Sequence, residues 1–195
     1  MSHSEPSSSI HYPVAELISE RKSVRAYLNR PIEQEKINSL FEAVRWAPSS
    51  SNEQPWFYIY ATPDQPELYK KISNLLNEGN RIWASQAPLL VVSLARKFFK
   101  KNEKPNSHAL YDLGGANSFL ALQAVHLGLQ VRQMAGYNKA QAIEVLNIPD
   151  TFEPGVIIAI GYPGDPSALP DALLERELKP RERFPQDSFV SNKGF

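Results

Sequence analysis

The chain has 195 residues, and its 42% hydrophobic and 22% charged content is typical of one globular domain that buries a core without covalent staples. The 21 Lys and Arg residues balance 21 Asp and Glu residues, so no global field attracts nucleic acid or an acidic membrane, and any anion site must be local. Cysteine is absent, which excludes disulfides, thiolate nucleophiles and Cys-based metal sites.

The amino-terminal segment gives the first prediction along the chain. Residues 1–12 are Ser-rich and lack the apolar core of a signal peptide, so they are predicted to be a disordered tail, followed by a single domain over residues 13–195. The most apolar stretch, Phe119–Leu129, is too short to span a bilayer. We therefore expect a cytoplasmic protein. The four His residues are scattered, and their spacing suggests no metal site.

Hydrophobic periodicity predicts helices and strands interspersed along the chain. Helices are predicted after Pro13, over 33–47, 68–76, 110–127 and 139–146, and after Pro170. Strands are predicted over 56–61, 88–95, 130–134 and 155–161. Asn77–Asn80 predicts a break after one helix, and Arg96–Ser107 predicts an exposed, basic excursion. The pattern indicates an α+β or α/β fold without an internal repeat or a linker.

Polar residues concentrate at three places where a fold alone would not need them. The first is the segment Arg21–Arg25, of sequence R-K-S-V-R. In an extended chain Arg21, Ser23 and Arg25 share one face, and their guanidinium and hydroxyl groups could clamp an anion. The alternative is a solvated basic stretch after a short helix.

The second and third places also allow a ligand-binding and a purely structural interpretation. Asn52 and Gln54, stiffened by flanking prolines, offer amide donors and acceptors suited to the edge of a heterocycle, although an ordinary polar loop is the alternative. Arg181 and Arg183 lie on one face of an extended basic segment and could hold a phosphate, although a charged tail is the alternative.

In this order the three clusters resemble the FMN-dependent nitroreductase family over nearly the whole chain, from about Val14 to Val190. The motifs that carry the resemblance are R-x-S-x-R at 21–25, A-P-S-S-S-N at 47–52, Q-P-W at 54–56, Ala87-Pro88, Met134–Tyr137, Gly161-Tyr162 and the terminal basic segment. No G-x-G-x-x-G follows the first predicted strand and no P-loop signature is present, which argues against a dinucleotide or P-loop nucleotide site.

The resemblance implies an α+β fold in which helices flank a mixed β-sheet. It also implies an intertwined homodimer with shared FMN sites and a C-terminal extension that lies along the partner. Two features of the residues agree with a dimer. The predicted helix 110–127 is too apolar all round for a monomer's surface, and Phe189 and Val190 are apolar beyond the last predicted core element.

The resemblance further implies which residues bind FMN. Arg21, Lys22 and Ser23 would hold the phosphate and ribityl chain, and Arg25 would face the pyrimidine side of the ring. The loop that reaches the FMN of the other subunit comprises Pro48, Ser49, Ser50 and Asn52, with Gln54 close by. The remaining predicted contacts are Asn80, Met134, Ala135, Gly136, Arg181 and Arg183. Many members carry Glu where this chain has Ala135, so any role of that carboxylate is missing here.

The activity that the resemblance implies is ping-pong turnover. NADH or NADPH would reduce FMN and leave, and an acceptor such as a nitroaromatic or quinone would take hydride from N5 without an obligatory catalytic side chain. Phe98 and Phe99, predicted to be exposed, would shape the choice of substrate. Dehalogenation, flavin destruction and azoline oxidation on the same scaffold, or a non-catalytic flavin-binding protein, are the alternatives.

Overall fold

The computed structural model describes residues 6–194, over which helices and strands are interspersed as expected. The helices are α1 (Glu16–Glu20), α2 (Gln34–Arg45), α3 (Pro66–Leu75), α4 (Glu78–Ala84), α5 (Ala109–His126), α6 (Lys139–Val145) and α7 (Asp171–Leu178). The strands are β1 (Trp56–Ala61), β2 (Leu89–Arg96), β3 (Gln130–Met134) and β4 (Phe152–Gly161). Short 3₁₀ turns occur at Ser50–Asn52, Pro166–Ala168 and Gln186–Ser188.

The strands form one sheet in the order β1-β2-β4-β3, and each neighbouring pair is antiparallel. The α+β class is confirmed, whereas the expectation of a mixed sheet is wrong for the described strands. The physical reason lies in the strand order. Strands β2 and β3 run in the same direction, but β4 runs the opposite way and lies between them, so they never pair.

Helices cover both faces of the sheet, and β2 lies at the centre of the core. Leu89 and Val91 point into the layer formed with α2 and α5, whereas Leu90 and Val92 point into the layer formed with α3, α4 and α6. This period-two alternation explains why the apolar run 88–95 is buried on both faces, as predicted. Full burial of each such side chain is worth about 1.5–3 kcal/mol.

Two features of the elements differ from the prediction by more than a shift of one or two residues. Helix α3 ends at Leu75, so the predicted break after residues 68–76 is present, but the polar run Asn77–Asn80 also starts a helix, α4, that was not predicted. The Asn77 side chain accepts a hydrogen bond from the Asn80 backbone N–H at 3.1 Å and so caps this helix. Strand β4 begins at Phe152 rather than Gly155. It includes Pro154 beside an irregularity in the pairing with β2, where a missing N–H is tolerated.

Part of the predicted tail lies within the described range. Residues 1–5 of the predicted disordered segment lie outside the described residues. Ser7 forms an antiparallel bridge with Arg183, in which each backbone N–H donates to the other residue's carbonyl at 2.9 Å. The amino-terminal segment thus meets the carboxyl-terminal basic segment. No helix in the described part of the chain is long and apolar enough to cross a membrane.

The segment after α1 runs along the free edge of β3. The Lys22 backbone N–H donates to the Gln130 side chain at 2.9 Å. Further along, the Gly164 N–H donates to the Ala26 carbonyl at 2.9 Å. A Cβ on Gly164 would lie 2.7 Å from the Tyr27 carbonyl carbon, so this close approach requires glycine. These contacts fix residues 21–27 beside the sheet and position the candidate site.

Candidate functional site

An open cleft of about 380 Å³ lies between the segment after α1, the carboxyl-terminal half of α5 and strand β3. Its lining includes Arg21, Ser23, Ser118, Leu122, Val131 and Gln133. Small-molecule sites typically have volumes of roughly 300–1,000 Å³ and combine apolar walls with a few polar groups. The cleft has this composition, and it contains two residues of the first predicted cluster.

Positive charge collects at the cleft. Arg21 Nη1 donates to Ser23 Oγ at 3.3 Å, and Arg181 donates to the carbonyls of Ser19, at 2.6 Å, and of Arg21. Burial, and then the charges of Arg181 and Arg183, lower the pKa of Arg21. The ion pairs within residues 6–194 involve other cations, namely Arg25, Arg30, Lys36 and Arg45. The structure therefore brings the charges of Arg181 and Arg183 close to Arg21, and none of the three forms an ion pair with a carboxylate of the described residues, an arrangement suited to a phosphate group.

Arg25 and Lys22 behave differently from their neighbours. Arg25 donates through Nη1 to Glu177 Oε2 at 3.0 Å and through its backbone N–H to Glu177 Oε1 at 2.7 Å. The Lys22 side chain is exposed to solvent. The face predicted to be shared by Arg21, Ser23 and Arg25 therefore lines the cleft only at the first two, because the carboxylate on α7 holds the third.

The predicted contacts on α4 and after β3 lie close to one another. The Asn80 side-chain N–H and the Asn77 backbone N–H both donate to the Gly136 carbonyl at 3.1 Å. A Cβ on Gly136 would lie 2.5 Å from the side-chain nitrogen of Asn77 and 2.8 Å from that of Asn80, so a larger residue would have to displace both side chains. The Met134 side chain is buried in the core, whereas Ala135 is exposed. At Met134 only the backbone remains for a ligand.

The loop between α2 and β1 is held in an unusual backbone conformation. Ser51, Asn52 and Gln54 have positive φ values of 54°, 52° and 49°, which are uncommon for residues other than glycine. Asp112 Oδ2 accepts from the Ser50 backbone N–H at 3.1 Å. The Ser49 hydroxyl accepts from the Gln54 N–H at 2.9 Å. Such strain is found where surrounding contacts fix a segment for a purpose.

The loop and the cleft lie at different levels of α5. Asp112, which holds the loop, is in the first turn of α5, whereas Ser118 is the first residue of this helix in the cleft wall. At a rise of 1.5 Å per residue these two positions are about 9 Å apart along the helix axis. The Arg21 group contacts the first residues of β3 and Gly136 follows its last residue, whereas none of the loop residues 48–54 lines the cleft within one chain.

The aromatic pair in the excursion is less exposed than predicted. Phe98 and Phe99 are both partly buried, because the excursion folds back on itself. Phe98 bridges to Pro105, and the Phe99 N–H donates to the Lys104 carbonyl at 2.9 Å. Neither ring lines the cleft. Their role in substrate choice stays a prediction.

Three residues near the site were missed from the sequence. Arg132 donates to the Ser23 carbonyl and lies 5.3 Å from the Trp83 ring. The sequence feature that could have identified Arg132 is its charge, because the other residues of this strand are apolar or carry side-chain amides. Asp112 reads locally as an ordinary acid in the first turn of a helix. Glu177 gave no signal, because its partner Arg25 lies 152 residues away.

Comparisons with known proteins agree with this geometry. A family model described as the nitroreductase family matches residues 18–162. An FMN reductase (NAD(P)H) of Bacillus subtilis is 29% identical over 197 aligned residues, covering 92% of this chain and 78% of that protein. The crystal structure of an oxidoreductase containing FMN has 37% sequence identity and a TM-score of 0.91, over 96% of this chain and 95% of that chain. An FMN-dependent nitroreductase from Clostridium difficile R20291 has 27% identity and a TM-score of 0.64, over 76% and 87% of the two chains.

The Asp112 contact predicts how the loop responds to substitution. Asp112→Ala leaves the Ser50 N–H without its partner, and the local opening free energy of the loop should fall by about 1–3 kcal/mol. Hydrogen exchange at residues 49–54 measures this loss. Asp112→Asn keeps an acceptor oxygen and should retain most of the protection, and the exposed Asp150→Ala is a neutral control. Unchanged exchange in Asp112→Ala would show that the loop is held by other contacts.

Proposed function

Because the chain belongs to the nitroreductase family of NAD(P)H oxidoreductases, we propose that it binds FMN in the cleft and passes electrons from NADH or NADPH to an acceptor such as a nitroaromatic or a quinone. The observation that supports this most is the group of three guanidinium groups at the cleft without a carboxylate partner within residues 6–194. When bound, FMN supplies the hydride chemistry, so the protein contributes binding, orientation and charge.

The donor set fits a terminal phosphate. Arg21, Arg181 and Arg183 would hold the dianion, since guanidinium groups bind phosphate oxygens in pairs. Ser23 would add its hydroxyl beside Arg21. Such a site favours FMN over a dinucleotide, because no glycine-rich pyrophosphate motif follows the first strand.

The other end of the cofactor would meet backbone rather than charged side chains. Ala135 is exposed and directly follows β3, the strand that lines the cleft. Gly136 is fixed by two amide donors, which holds this stretch of backbone rigid. A rigid backbone N–H is a suitable hydrogen-bond partner for a ring nitrogen, and no acid or base side chain is required at this position.

We further propose that two chains associate across α5. Leu110, Tyr111 and Phe119 are exposed on this helix, and Tyr111 is 82% accessible. A Cβ on Gly114 or Gly115 would meet nothing within 4 Å in the same chain, so another helix could approach closely there. Phe189 and Val190 are also exposed, as expected of residues that pack on a partner.

Dimerisation would complete the cofactor site. Within one chain the residue that holds the loop, Asp112, lies about 9 Å along α5 from the nearest helix residue of the cleft wall, Ser118. A second chain packed in the opposite direction across α5 would bring its loop to the first chain's cleft. The predicted loop contacts, Pro48, Ser49, Ser50, Asn52 and Gln54, would then act on the partner's FMN.

The flavin and its reduction test the proposed activity directly. Purified protein should be yellow, should release FMN on denaturation, and should bleach rapidly when mixed with NADH or NADPH without oxygen. Chromatography of the released flavin and the absorbance near 450 nm are the measurements. FAD as the main flavin would contradict the phosphate assignment, and retained FMN that does not bleach would favour a non-catalytic flavin-binding protein.

The phosphate assignment predicts the effect of removing one cation. Arg21→Ala and Arg183→Ala should each lower FMN affinity by about one to two decades, since a hydrogen bond to a charged group is worth roughly 1.5–3 kcal/mol. Titration of the apoprotein with FMN measures the change. Lys71→Ala removes an exposed cation from α3 and should leave the affinity unchanged. Unaltered affinity in both Arg variants would place the phosphate elsewhere.

The dimer proposal predicts that a bulky residue on α5 separates the chains. Gly114→Arg should be tolerated by the single chain, which has open space there, but should give monomers that lose FMN. Ala140→Arg adds the same side chain to the exposed surface of α6 and should remain dimeric. Sedimentation at low micromolar concentration measures both. A monomeric wild type that keeps its FMN would refute the shared site.

A further inference from the structure

A shielded ion pair connects α7 to the segment that lines the cleft. The Glu177 carboxylate accepts from the Arg25 guanidinium at 3.0 Å and from the Arg25 backbone N–H at 2.7 Å. The Arg25 and Glu177 side chains are only 14% and 8% exposed. Salt in the solvent screens such a pair much less than a surface pair. Glu177 therefore both fixes the position of Arg25 and neutralises most of its charge.

A second cation stands beside this pair. Arg132 donates to the carbonyl of Ser23, a residue of the cleft wall. Burial and the charge of Arg25 lower the pKa of Arg132, whereas the charge of Glu177 acts in the opposite direction. Burial also raises the pKa of the neighbouring Tyr27, which therefore stays uncharged. The cluster thus contains two cations and one anion.

The net charge of Arg25, Arg132 and Glu177 would act on a ligand in the cleft. Arg25 follows Ser23 by two residues, and Arg132 donates to the Ser23 carbonyl. Both cations are therefore connected to the segment around Ser23, which lines the cleft. Both side chains are partly buried, so salt screens their effect on a ligand in the cleft less than it screens surface charges. Arg132 forms no ion pair within the described residues and is the cation that Glu177 leaves uncompensated.

We propose that Glu177 is a positioning residue that sets the midpoint potential of bound FMN. Glu177 holds Arg25 and cancels its charge. Arg132 alone then supplies net positive charge next to the cleft wall. The inference rests on the proposed function, since it requires FMN in the cleft. Reduction adds negative charge to the cofactor, and a nearby anion disfavours that change. Loss of the Glu177 charge therefore raises the potential, and loss of the Arg132 charge lowers it.

The test is an anaerobic redox titration of the FMN-loaded protein. Glu177→Gln keeps the shape and an acceptor for the Arg25 N–H but removes the charge. The bound FMN should become more oxidising, with the reduced form favoured about tenfold over the oxidised form relative to wild type, or about 30 mV for a two-electron couple. Arg132→Gln should shift the potential in the opposite direction.

Glu175→Gln is the matched control, because it removes the same charge from an exposed position on α7. Its potential should match that of wild type. An unchanged potential in Glu177→Gln, or equal shifts in Glu177→Gln and Glu175→Gln, would overturn the inference. Shifts of the same sign in Glu177→Gln and Arg132→Gln would also overturn it. A wild-type protein that takes up no FMN would instead overturn the proposed function.

Discussion

Three guanidinium groups that form no ion pair with a carboxylate of residues 6–194 are the constraint around which the cleft is arranged. The charges of the exposed Arg181 and Arg183 act unfavourably on the partly buried Arg21, so other contacts must hold these groups in place. Arg181 donates to two carbonyls of the α1 end, and the backbone of Arg183 pairs with Ser7. The amino-terminal segment at Ser7 and the basic segment at Arg181 and Arg183 thus meet near the end of α1. An anion that binds there converts the repulsion into attraction, so the contacts that maintain the cluster also preorganise its affinity.

The regular elements could be predicted because their signals are local. The run 88–95 is apolar on both faces and so reads as a central strand, and the structure has β2 at Leu89–Arg96. The break after α3 was predicted, but the start of α4 at Asn77 was missed, because helix caps and loops use the same residue types, whose side chains hydrogen-bond the local backbone. The mixed sheet was wrong because strand order is not a local property. Where β4 inserts depends on packing across the whole chain.

For the candidate site, too, local features could be predicted from the sequence and long-range contacts could not. The sequence indicated which residues were unusual, and in the structure the charges of Arg181 and Arg183 act on Arg21. Their role in phosphate binding stays a prediction. The sequence could not indicate which distant side chains contact these residues. The carboxylate that holds Arg25 lies 152 residues away, and Asp112 looks like an ordinary acid at a helix start until Ser50 is placed above it. Pairwise contacts at such distances are fixed by the tertiary fold, which no periodicity encodes.

Helix α5 links the separate parts of the site through one rigid element. Its first turn supplies Asp112, which holds a loop containing left-handed residues at Ser51, Asn52 and Gln54. Within a single chain that strained loop contributes no residue to the cleft wall, which begins about 9 Å further along the helix at Ser118. Under the proposed dimer, the strained loop faces the partner's cofactor and the exposed face of the helix meets the partner helix. Any shift of α5 would then move the loop and the cleft wall together, so helix packing and cofactor binding would depend on each other.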